Sequence, residues 1–152
     1  MFICNHTIAG AAIGLVLKDH PVLAFGAGFV SHLALDAIPH WGLPGNHPQR
    51  EEEFLVVAKR DGCAGCALSL ALIALAPQKP AMIAAIAGAT LPDIDKPSEH
   101  FFGKNPVPRR FQRFHVRIQK ESPKRLRQEI LTAIIGSAAI LGATYAVRRA
   151  SK

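Results

Sequence analysis

Apolar runs separated by short polar breaks dominate the pattern along this chain. The runs cover residues 7–17, 22–38, 63–76, 81–91 and 130–147. Their lengths predict helices, and the alternation typical of strands is weak. We therefore predict an all-α fold, a single domain over residues 1–152 built as a bundle of five or six apolar helices.

The helix predicted over residues 22–38 carries two polar side chains on an otherwise apolar run. His32 and Asp36 are four residues apart, so they lie on the same face and can share one ligand. Pro39 ends the helix, and the turn could bring His40 back to the same place. A carboxylate on an apolar helix is costly unless it is paired, so Asp36 needs a partner.

Turn residues and charges predict the boundaries of the other elements. Asn5 is a candidate cap for the helix over 7–17. The stretch 39–49 holds three prolines and two glycines and is predicted to be a loop, and Glu51–Glu53 begin a helix that reaches about Ala76. Loops are predicted over 93–97, after Pro92, and over 101–108. If 93–97 is extended, the side chains of Asp93 and Asp95 point to the same side, whereas a turn is the other interpretation.

The C-terminal third combines a basic segment with an apolar one. Residues 109–127 hold eight Lys and Arg, with Phe111, Phe114 and Ile118 at helical spacing, which is typical of an interfacial amphipathic helix. Residues 130–147 are 18 residues without a charge, about 27 Å of helix, and form a candidate transmembrane helix. The positive-inside rule then places 109–127 in the cytoplasm. A buried core helix is the rival interpretation.

Composition strengthens the membrane interpretation. Hydrophobic residues make up 49% of the chain, and the net charge of +7 is unevenly spread. Residues 1–103 carry 6 Lys and Arg against 9 Asp and Glu, whereas residues 104–152 carry 12 against 2. Such a basic end indicates an anionic partner, and we favour membrane lipid over nucleic acid because no nucleic-acid motif is present. Cys63 and Cys66 form a CxxC pair that we interpret as packing residues.

Polar residues that interrupt the apolar segments, or sit at their ends, form a set of imidazoles and carboxylates. Such ligands suit zinc, with manganese or iron as alternatives, and a metal held by them would support hydrolysis of a phosphate ester by activated water. Asp61, Asp95 and His40 are equally plausible as general acid or base. The full set is His6, His32, Asp36, His40, Asp61, Asp93, Asp95, His100 and His115.

Three of these segments resemble a known family. NHTIAG at 5–10, SHLALDAIPHW at 31–41 and ATLPDIDKP at 89–97 look like segments of the inner-membrane-associated metal-dependent hydrolases, relatives of the zinc-dependent phospholipase C type proteins. The resemblance covers residues 1 to 115 and implies a bacterial inner-membrane location. It also implies that the metal ligands are His6, His32, Asp36 and Asp93, that His40 and Asp95 contact the metal or its ligands, and that Asp61 is a further member.

The chain departs from the family pattern after the acidic segment. Many members carry His-Arg and Thr-His-Ser there, whereas this chain has RFHVR at 113–117. The last histidine ligand is therefore open between His100 and His115. The alternative function is a small non-enzymatic membrane protein in which the His and Asp residues form a structural network, with or without metal, and the basic face binds lipid or protein.

Overall fold

The computed structural model describes residues 1–43 and 51–151, and that part of the chain is almost entirely helical. Most of the predicted loop at 39–49 lies outside the described residues. The helices are α1 (Ile3–Val16), α2 (Pro21–Asp36), α3 (Glu51–Leu75), α4 (Lys79–Thr90), α5 (Asp95–Phe102), α6 (Arg109–Ile118) and α7 (Leu126–Ala150), with short 3₁₀ turns at Leu91–Ile94 and Pro123–Arg125. The predicted all-α class is confirmed.

The centre of the fold is the contact between α2 and α4. Two glycines allow it, since a Cβ on Gly28 would meet the carbonyl oxygen of Ala85, and a Cβ on Gly88 would meet that of Phe25. Small residues at such positions let two helix backbones approach closely. The α2 and α4 helices therefore pack backbone against backbone, and their C-terminal ends lie close together.

Helix α3 packs on α1 and α4, and α7 packs on α1 and α3, which completes the core. Large side chains from α3 and α4, with Ile140 of α7, surround Ala11 of α1. A buried leucine or isoleucine is worth about 1.5–3 kcal/mol relative to an exposed one, so this cluster is the main apolar contribution to stability. Its buried members are Ala11, Leu68, Leu72, Ala76, Met82, Ile86 and Ile140.

Several predicted boundaries were wrong. Segment 109–127 is not one helix, because α6 ends at Ile118 and an extended stretch follows, where Glu121 forms a bridge with His40. Residues 93–97 and 101–102, predicted to be loop, are helical, because a 3₁₀ turn at Leu91–Ile94 is continued by α5. Helix α1 starts at Ile3 rather than after Asn5, so Asn5 lies inside the helix and is not its cap.

One helix in the described part of the chain is long and apolar enough to cross a membrane. It runs over Pro123–Ala150, which includes the predicted span 130–147, and only 11% of its most apolar window is buried in the bundle. The rival interpretation of 130–147 as a buried core helix therefore does not fit. Cys63 and Cys66, which we expected to pack in the core, are exposed free thiols on α3.

Candidate metal centre

A buried stripe along α2 places the first two residues of the candidate site. Ala24, Gly28, His32 and Asp36 are the buried residues of this helix, each four positions after the last. This spacing keeps them on the face that meets α4. The two small residues allow the close helix contact, and the two polar residues follow at its C-terminal end, where both are completely buried.

Three ligand-type atoms meet at that end of α2. The Nε2 atom of His115 lies 2.8 Å from Oδ2 of Asp36 and 3.0 Å from Nε2 of His32. The Nε2 atom of His32 is 3.3 Å from the same Asp36 oxygen. Helix α6 delivers His115 to this position through Phe111, whose ring packs on Phe29 of α2 at a centroid distance of 5.6 Å.

This triangle has the dimensions of a metal site. Ligands bonded to zinc at 2.0–2.1 Å in tetrahedral geometry lie about 3.3 Å apart. Asp93, on the 3₁₀ turn after α4, offers a fourth ligand, and one atom from each of the four residues lies within 4.8 Å of the others. Two imidazoles and two carboxylates are donors that suit zinc, manganese or iron, so this group of residues could hold a metal ion.

The orientation of the His32 ring is determined by α4. Its Nδ1 atom lies 2.7 Å from the carbonyl oxygen of Ala89, and since a carbonyl can only accept, Nδ1 is the protonated nitrogen. The other ring nitrogen, Nε2, therefore faces Asp36 and His115. A hydrogen bond of this kind orients imidazole ligands in metalloproteins.

The second carboxylate oxygen of Asp36 has its own partners. Oδ1 lies 3.0 Å from the Met1 amine and 3.2 Å from Nε2 of His6. Burial would raise the pKa of Asp36, but the contacts with His115, His32 and His6, together with the Met1 ammonium, outweigh it and hold that pKa well below its ordinary range. Asp36 is therefore ionised, and these groups are the partners that a carboxylate on an apolar helix requires.

His6 packs against the site from α1. Its ring is completely buried and stacks on the ring of His32 at a centroid distance of 3.8 Å. Neither ring nitrogen has a hydrogen bond that meets geometric criteria within the described residues. Burial lowers the pKa of His6 to about 4, against the pull of Asp36 in the other direction. The neutral ring is the form in which histidine binds metals.

Acidification is expected to destabilise the metal-free protein. The pKa of His6 is lower in the folded state than the 6.5 of the free side chain, so its full contribution is present above pH 6.5 and is lost as the pH falls toward 4. Lowering the pH from 7 to 5 with a chelator present should cost about 2 kcal/mol of unfolding free energy, and burial lowers the pKa of His40 in the same direction. Denaturant titrations at both pH values measure this slope, the change of the unfolding free energy with pH, in the wild type and in His6→Gln. A slope equally steep in His6→Gln contradicts the assignment.

Asp93 is held by a cation as well as by the site. The Lys96 ammonium lies 2.9 Å from its Oδ1. Burial alone would raise the pKa of Asp93, but Lys96 and the rings of His32 and His6 lower it to about 2. Asp93 is therefore an ionised carboxylate at neutral pH, as a metal ligand requires.

The other predicted site residues lie around this group rather than in it. Asp61 accepts from the backbone N–H groups of Ile3 and Cys4, at 2.5 and 3.2 Å, and so caps α1 from α3. The predicted same-side alignment of Asp93 and Asp95 does not occur, because the segment is helical, and the Asp95 carboxylate accepts from the N–H of Lys96 instead.

The two remaining histidines have different surroundings. His100 lies on α5 with its ring against Phe101, outside the four-residue group. His40 is buried, its Nδ1 donates to the carbonyl of Ile38 at 2.8 Å, and its backbone pairs with the extended stretch after α6. Its Nε2 has no hydrogen-bond partner among the described residues. His40 lies outside the four-residue group.

Two polar residues that bond to the site or to the start of α1 were missed by the sequence analysis. Gln119, the residue after α6, donates a hydrogen bond of 3.1 Å to Oδ2 of Asp36. Glu129, in the first turn of α7, is buried and accepts from the backbone of Phe2 and the side chain of Asn5, both at 3.0 Å. A signal for Glu129 was present, because it is the last charge before an 18-residue apolar run.

Comparison with known proteins gave no relative. No family model matches the chain, no curated protein matches it, and no solved structure matches it.

Proposed function

We propose that this protein is a membrane-associated, metal-dependent hydrolase that acts on a phosphodiester or phospholipid headgroup bond. The observation that carries the proposal is the buried triangle of His32, Asp36 and His115, whose edges of 2.8–3.3 Å match the ligand spacing of a divalent cation. Asp93 completes the set. The cation would supply a Lewis acid that activates water for attack on phosphorus, with zinc preferred and manganese or iron as alternatives.

The residues of the chain have separate tasks in this proposal. The four ligands hold the cation, and Ala89 and Gln119 orient His32 and Asp36 through hydrogen bonds. His6 adds a neutral imidazole beside Asp36. His40 is the strongest candidate for moving a proton, because its Nε2 is buried without a partner among the described residues and burial lowers its pKa. Asp61 and Asp95 are occupied in holding helix ends.

A membrane location is part of the proposal. The α7 helix supports it, and apolar side chains such as Ile134 and Ile135 point out from the bundle. The neighbouring helices also support it, because they contain long uncharged stretches. No Asp, Glu, Lys or Arg occurs in residues 20–35, 62–78 and 80–92. We propose the bacterial inner membrane, with the basic residues of 109–127 in the cytoplasm beside anionic lipid.

The experiment that tests the proposal is metal analysis of the detergent-purified protein. His115→Ala should lose bound metal and hydrolysis of a phosphodiester probe, yet stay in the membrane fraction, because α6 is peripheral to the bundle. His100→Ala, a histidine on a neighbouring short helix, is the matched control and should keep the metal. Equal metal content in the wild type and His115→Ala would overturn the assignment.

The second candidate is a non-enzymatic membrane protein in which the same residues form a structural network. The observation that favours it is that Asp36 contacts five groups of the chain, from Met1, His6, His32, His115 and Gln119. Chelation separates the two candidates. A structural site should lose thermal stability strongly when metal is removed, whereas a catalytic site should lose activity first.

A further inference from the structure

The end of the bundle opposite the metal centre contains a cavity of about 490 Å³. The metal centre lies where α1 begins and where α2 and α4 end. The cavity lies where α1 ends, α4 begins and α7 ends, and it is lined by Lys18, Lys79 and Arg148 from these three places. The two sites are therefore separated by the length of α4, and share no residue.

The three cations are poorly neutralised by the protein. Lys18 lies 3.9 Å from Asp19, and both side chains are more than half exposed to solvent. Arg148 uses one guanidinium nitrogen to donate to the carbonyl of Ala74 at 3.0 Å. No carboxylate lines the cavity in the described part of the chain, and Lys79 forms no ion pair there. The cavity is consequently a concentration of positive charge.

The helix dipole accounts for the positions of two of these cations but not for the position of the third. Lys18 and Arg148 lie at the ends of α1 and α7, where a positive charge complements the partial negative charge of the helix C-terminus. Lys79 is the first residue of the 12-residue helix α4, where the partial charge is positive and a cation is unfavourable. A bound anion would satisfy Lys79, the other two cations and the start of α4 together.

We propose that this cavity binds a phosphate group. Converging Arg and Lys side chains recognise phosphate through charge-assisted hydrogen bonds, and a guanidinium that already holds a backbone carbonyl keeps further N–H groups to donate. The group can come from an anionic phospholipid or from free inorganic phosphate. The lipid source is favoured because Val147, the last residue of the apolar run of α7, lines the cavity beside Arg148.

The test compares the full-length wild type with Lys79→Gln and Lys18→Gln. Binding is measured in detergent with inorganic phosphate against chloride at equal ionic strength, and in nanodiscs of phosphatidylglycerol and phosphatidylcholine against phosphatidylcholine alone. Each substitution should weaken binding about tenfold, the loss of one charge-assisted hydrogen bond. Arg149→Gln removes the same charge from the same helix end, but this side chain lies over the Tyr145 ring and not along the cavity. It should change affinity by less than about twofold.

The outcomes separate the sources of phosphate. Binding of anionic lipid without binding of free phosphate supports the headgroup, and binding of both or of phosphate alone in detergent supports a phosphate-anion site. The proposal is overturned if the wild type binds neither, or if Arg149→Gln weakens binding as much as Lys79→Gln.

The metal centre could also attract phosphate, and its contribution is measured separately. Phosphate binding that disappears in His115→Ala and persists in Lys79→Gln would place the anion at the metal centre and overturn this proposal. Metal content should be unchanged in Lys79→Gln. The proposal of a phosphate site in the cavity is therefore tested independently of the proposed hydrolase function.

Discussion

Asp36→Asn is expected to abolish metal binding, with a loss of affinity of at least about 100-fold. The substitution keeps the shape of the side chain and removes the charge that His32, His115, His6 and the Met1 amine all contact. Changes to residues that merely support metal ligands cost 10–100-fold, so the loss of the central carboxylate should exceed this range. Elemental analysis and zinc titration of the purified variant measure it.

The metal-free form of Asp36→Asn should also be less stable by about 3–5 kcal/mol, because removing one member of a buried charged network leaves its partners unpaired. Asp95→Asn is the matched control. Asp95 is buried nearby, but it accepts from the backbone of Lys96 at the start of α5, a role that Asn fills almost as well. Full metal retention in Asp36→Asn, or equal losses in both variants, contradicts a site centred on Asp36.

Gly28→Ala is expected to destabilise the fold by about 2–3 kcal/mol, a large effect for a single methyl group. The new Cβ would meet the carbonyl oxygen of Ala85 and would lie 3.0 Å from the backbone nitrogen of Ala89. Helix α4 would have to move away from α2. Since the Ala89 carbonyl orients His32, the displacement should weaken metal binding as well as stability.

Gly26→Ala is the control for this second prediction. Gly26 lies two residues before Gly28 on α2, and a Cβ added there would meet nothing within 4 Å. This substitution should stabilise the helix by about 0.5–1 kcal/mol through its backbone propensity. Unfolding in mixed micelles, with metal content measured on the same samples, compares the two. A result in which both glycines tolerate alanine equally would mean that α2 and α4 do not depend on backbone contact.

The positions of most helices and the pairing of His32 with Asp36 could be predicted from the sequence, because they depend on neighbouring residues. Apolar runs and their proline breaks predicted most of the helices. Within the described residues, the helix that is long and apolar enough to cross a membrane falls where 18 uncharged residues predicted it. The pairing of His32 with Asp36 was equally local, because residues four apart on a helix share a face whatever packs against them. Those properties depend on neighbours in the chain.

Helix ends were less accessible from the sequence, because their caps come from far away. Asn5 has the right chemistry for a cap, yet α1 begins earlier since Asp61 of α3 accepts from its first N–H groups. Asp93 and Asp95 were placed on the same side by assuming an extended backbone. A helical turn at 91–94, continued by α5, separates them instead.

Only the tertiary structure decided which distant groups surround Asp36. His100 and His115 were equivalent in the sequence, and His115 is the one beside Asp36 because Phe111 packs α6 onto α2. Gln119 reaches Asp36, and Glu129 reaches Asn5 of α1, for the same kind of reason, through contacts between residues about 80 and 125 positions apart. Local spacing determines which side chains share a helix face, whereas the packing of whole helices determines what that face meets, and the candidate metal centre forms where α2, α4 and α6 converge.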